Sequence, residues 1–83
     1  MKLIDTLTEL DFVKESAGDF SNTYSAKGFD SRSNVFVNES LTENHVQICL
    51  MPNDPDDDPI WVTFSKNCDA IKALLKIWTG KDD

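Results

Sequence analysis

The sequence predicts an α+β fold in which one four-stranded antiparallel sheet carries both helices on one face, in the order α-β-β-β-β-α. Three observations lead there. Apolar residues recur at helical spacing at the two ends of the chain, apolar and polar residues alternate in the middle, and the links between the alternating segments are too short for parallel crossovers. The length of 83 residues leaves room for a single domain, 1–83, because a second hydrophobic core would not fit. A hydrophobic fraction of 40% with eight aromatic residues is too rich for intrinsic disorder.

From Leu3 to about Glu15, the residues Leu3, Ile4, Leu7, Leu10 and Val13 fall within one helical stripe, which predicts an amphipathic first helix. Phe12 departs from that stripe and projects among Asp5, Glu9 and Glu15. Either the helix ends near Asp11 and Phe12 turns into the core, or Phe12 is displayed beside the acids. Ala17-Gly18-Asp19 reads as a turn, and the alternation of Phe20, Asn22, Tyr24 and Ala26 with Ser21, Thr23 and Ser25 predicts a first strand over about 20–27. Lys27 to Ser33 reads as a loop and Asn34 to Asn38 as a short second strand.

His45 to Met51 is the clearest extended segment, with Val46, Ile48 and Leu50 sharing the face expected to meet the helices. Beyond the loop Pro52–Pro59, Ile60, Val62 and Phe64 alternate with Trp61, Thr63 and Ser65, which predicts an antiparallel hairpin. Ile71, Leu74, Leu75 and Trp78 at i, i+3, i+4 and i+7 predict the last helix. Ser65 or Asn67 is its expected cap and Gly80 its terminator.

Fifteen Asp and Glu against eight Lys and Arg give a formal net charge of −7. Affinity for nucleic acid comes mainly from cations that neutralise phosphates, so direct DNA or RNA binding is not expected. Anionic membranes are disfavoured on the same ground, and no apolar run approaches the ~20 residues of a spanning helix. Asp5 stands where a signal peptide needs its apolar segment, and the two cysteines read as reduced thiols, so the expected compartment is the cytoplasm.

No catalytic motif is present, and an enzyme is not expected. His45 and Cys49 lie four strand positions apart, about 13 Å, too far to share one ion directly, so neither a metal nor another cofactor is predicted. Asp54, Asp56 and Asp58 match positions one, three and five of a calcium loop, yet Pro59 replaces the required Gly at the sixth position and Ser65 the Glu at the twelfth. Solvation and turn chemistry alone account for a loop stiffened by Pro52, Pro55 and Pro59.

Four acids within five positions nevertheless repel one another, and a cationic surface would relieve that repulsion. Trp61 follows two residues after the cluster. It either anchors an interface on the open sheet face or covers a second small apolar cluster with Tyr24 or Phe36. The candidate partner-binding residues are therefore Asp54, Asp56, Asp57, Asp58 and Trp61, together with Asp5, Glu9 and Phe12.

In size and charge, though in no motif, the chain is similar to phage-encoded anti-CRISPR proteins and other DNA mimics, and to the immunity proteins that neutralise nuclease toxins. Carboxylates on a rigid scaffold can stand in for phosphates, which predicts an inhibitor, monomeric or homodimeric, that occupies a basic surface of a larger protein such as a nuclease or another nucleic-acid-binding complex. The alternative is an assembly subunit that associates with itself through the open sheet face.

Overall fold

A computed structural model describes residues 2–81. The chain runs α1 (Leu3–Glu9), β1 (Val13–Ala17), β2 (Ser21–Lys27), β3 (Asn34–Ser40), β4 (Val46–Met51), β5 (Ile60–Phe64) and α2 (Ala70–Thr79). Among the described residues the class is α+β, with two helices and one antiparallel sheet. The sheet has five strands rather than four, in the order β1-β2-β3-β4-β5.

The additional strand comes from the segment expected to continue the first helix to Glu15. Leu10 closes α1, and Asp11 turns the chain with φ 62°, a left-handed conformation that Asp tolerates better than most side chains. The next residues then pair with β2, Val13 opposite Ser25 and Ala17 opposite Asn22, with a bulge between Lys14 and Ser16. Phe12 leaves the helix with its N–H bonded to the Leu7 carbonyl and packs half-buried against the core.

The register sorts side chains onto two faces. Tyr24 lies opposite Val37, Val35 opposite Leu50, Val37 opposite Ile48, and Ile48 opposite Val62. Tyr24, Val35, Val37, Val46 and Ile48 form one buried cluster with Leu3, Leu7 and Leu10 of the α1 region and with Ile71 and Leu75 of α2. Burying a side chain such as Ile48 or Leu75 completely contributes about 1.5–3 kcal/mol. Two lysines tie the helical segments together. Lys72 Nζ lies 3.1 Å from Glu9 Oε2, while Lys81 Nζ donates to the Leu10 carbonyl at 2.6 Å and lies 3.2 Å from Asp11 Oδ2.

The last helix keeps the expected spacing, with Ile71 and Leu75 fully buried and Leu74 and Trp78 half-buried. Its N-cap is Asp69, without a side-chain capping bond, rather than Ser65 or Asn67. Ser65 instead accepts the Cys68 N–H through its carbonyl in the preceding turn. Gly80 ends the helix in the left-handed region at φ 71°.

Candidate functional site: an acidic end of the sheet

In an antiparallel meander, alternate connections close at the same end of the sheet. The β2–β3 loop therefore lies beside the β4–β5 loop, and the two together line two open depressions. One, of about 310 Å³, is lined by Phe29, Leu50, Pro52 and Ile60 together with Asp30, Ser33, Asp57 and Asp58. Its neighbour, of about 300 Å³, is lined by Asp30, Arg32, Pro52, Asn53, Asp54 and Asp57.

Both loops are organised by their own carboxylates. Asp54 Oδ1 accepts the Asp56 N–H at 3.0 Å and the Asp54 carbonyl accepts the Asp57 N–H at 3.1 Å, a local turn of the kind Asp favours. Asp30 Oδ1 accepts three bonds, from the Ser33 hydroxyl at 2.7 Å, the Ser33 N–H at 2.8 Å and the Arg32 N–H at 3.0 Å. Donors aimed at a carboxylate favour its charged form, and these bonds, those from Ser33 foremost, hold the Asp30 carboxyl down at about 2. Among the described residues, none of Asp30, Asp54, Asp56, Asp57 and Asp58 forms an ion pair with a lysine or arginine.

The other sequence candidates are placed elsewhere. Asp5 and Glu9 lie on α1, no residue of which lines either depression, and Glu9 is neutralised by Lys72. Phe12 belongs to the margin of the core rather than to a display of acids. Trp61 is 57% exposed. The register puts it opposite Cys49, which in turn lies opposite Phe36, so the three form one cross-strand row on the face away from Val35 and Ile48. Tyr24 is on the other face and buried in the core, where burial first and the Glu39 charge second push its hydroxyl pKa up.

Sequence reasoning missed Phe29, Asp30 and Ile60. Ile60 was expected to share the covered face with Val62 and Phe64, but at the strand's first position it is 51% exposed beside the acidic loop. The signal that could have found these residues is the parity of a meander, which brings the second and fourth hairpin connections together.

Among the described residues, no group of three or more His, Cys, Asp and Glu side chains is arranged to hold a metal ion. His45 Nδ1 lies 3.2 Å from Glu43 Oε2, near the opposite end of the sheet, and Cys49 and Cys68 are both free thiols. No helix among these residues is long and apolar enough to cross a membrane. Comparisons with protein-family models, with curated proteins and with solved structures return no match.

Proposed function

We propose that this chain is a small acidic binding module that inhibits a larger protein by occupying its basic surface, of the kind that handles nucleic acid. The observation that carries the reading is the set of carboxylates at one end of the sheet, displayed on turns and, among the described residues, in no ion pair with a lysine or arginine. Carboxylates held on a stiff frame can substitute electrostatically for phosphates, and opposite charges accelerate encounter. In this reading both helices cover the face of Val35 and Ile48, which leaves the exposed Trp61 and the half-buried Phe36 on the other face to supply apolar contact.

The test is affinity capture from the native host at low and high salt, with the wild-type chain and an Asp56→Asn, Asp57→Asn, Asp58→Asn variant as paired baits. The expected result is a basic protein held by the wild type at low salt and lost by the variant. Recovery of the same protein by both baits at both salts removes the acidic loop from the mechanism.

The exposure of Trp61 supports a second reading, self-association through the open sheet face. Sedimentation across a range of concentrations separates the two. An inhibitor stays monomeric or forms a defined dimer, whereas an assembly subunit grows with concentration.

A further inference from the structure

The depression between the β2–β3 and β4–β5 loops combines two properties that are ordinarily separated on a protein surface. Phe29, Leu50, Pro52 and Ile60 give it an apolar lining, with Phe29 and Ile60 60% and 51% exposed. Among the described residues, the charged ones that line it are all acidic: Asp30, Asp57 and Asp58. An aliphatic ligand would leave those charges unmatched, and a hydrated ion would leave the apolar lining wet. The ligand chemistry that satisfies both is a long apolar stem that ends in a cation.

Resting on the reading of the chain as a binder of basic surfaces, we propose that this depression is the seat for one arginine side chain of the partner protein. Three features select arginine over lysine. The carboxylates come from two different loops and so approach from more than one direction, which suits a planar head with five donors better than a point charge. The exposed Phe29 ring offers a face on which a guanidinium can stack. All three internal bonds to Asp30 fall on Oδ1, and Oδ2 takes none of them. The chain's own Arg32 does not fill the role, because it lines the adjoining depression and makes no ion pair with these acids among the described residues.

The experiment titrates the isotope-labelled full chain at low salt with N-acetyl-arginine methylamide, and in parallel with its citrulline and lysine counterparts, following backbone amide shifts. The arginine probe should move the amides of Phe29, Asp30, Asp57, Asp58 and Ile60, with an affinity roughly tenfold above that of neutral citrulline. An Asp57→Asn, Asp58→Asn variant should weaken it by a similar factor, and Phe29→Leu, which keeps apolar bulk but removes the ring, by roughly threefold. Three results would overturn the assignment: shifts spread evenly over the acids of the whole surface, equal responses to arginine and citrulline, or equal responses to arginine and lysine. This readout needs no partner protein. A failed arginine titration with a successful salt-sensitive capture removes the seat alone, whereas capture that is indifferent to the loop acids removes the parent reading.

Discussion

The Phe29 N–H donates to the Trp78 carbonyl at 2.7 Å, which fastens the β2–β3 loop to the last turn of α2. Two residues on, Gly80 turns the chain at φ 71°, and a Cβ built there would sit 3.2 Å from the Phe29 Cα. The left-handed turn that ends the helix and the position of an acidic loop are thus one packing arrangement.

Gly80→Ala should therefore cost about 1–3 kcal/mol through the left-handed strain that a Cβ brings, with any backbone displacement adding to it. For a domain of this length each kcal/mol lowers Tm by about 4–8 °C. Calorimetry checks the loss of stability, and amide shifts of Phe29 and Asp30 check that the loop moves with it. Unchanged Asp30 shifts would separate the helix end from the site.

Asp30 should give the fold a component of acid sensitivity. Its carboxyl pKa is lowered from 3.8 to about 2 by bonds from Ser33 and Arg32, so on acidification the unfolded chain takes up this proton before the folded one does. The stabilisation is complete above pH about 4 and is lost as pH falls through about 2. Asp30→Asn should lower Tm at neutral pH, and its melting curve should converge on that of the wild type toward pH about 2. A constant difference across that range would show that the charge is not what the loop uses.

Much of this architecture was legible because periodicity reports burial. Val46 and Ile48 on β4 and Ile71 and Leu75 on α2 all proved fully buried, as their spacing required. The fifth strand was not legible for the same reason. Every residue of β1 is exposed, so it carries no alternation to read, and Val13 happens to continue the stripe of α1. The departure of Phe12 from the stripe marked the break near Asp11, but nothing local marked the strand that follows it. The candidate site was half legible. The run Asp54 to Asp58 announced itself, but Asp30 joins it through strand pairing, which a local pattern does not contain.

Cys49 shows a burial that alternation does not explain. It lies on the face away from Val35 and Ile48 yet is fully buried, in the row between Phe36 and Trp61, and burial pushes its thiol pKa up. In a Cys68→Ala background it should react slowly with a thiol reagent, because the thiolate is the reactive form. Trp61→Ala should speed that reaction by roughly tenfold or more while cooperative unfolding is retained, since Trp61 itself is 57% exposed. Loss of cooperative melting would instead show that Trp61 belongs to the structural core.

The acidic loop should trade stability of the free protein against binding. Asp56, Asp57 and Asp58 are exposed and, among the described residues, in no ion pair, so their mutual repulsion acts on the folded chain. Changing these three to Asn leaves Asp54, whose side chain builds the turn, in place. The variant should melt above the wild type at low ionic strength. That gain should fade in about 1 M salt, where the screening length falls to about 3 Å. The same variant should associate with a cationic surface more slowly, with a flatter dependence on salt, while dissociation changes less, because exposed charges act mainly on encounter. Thermal melts and association rates measured on one salt series test both halves together. A variant that melts lower than the wild type at every salt concentration would show that these carboxylates stabilise the loop, leaving no internal strain for a partner to relieve.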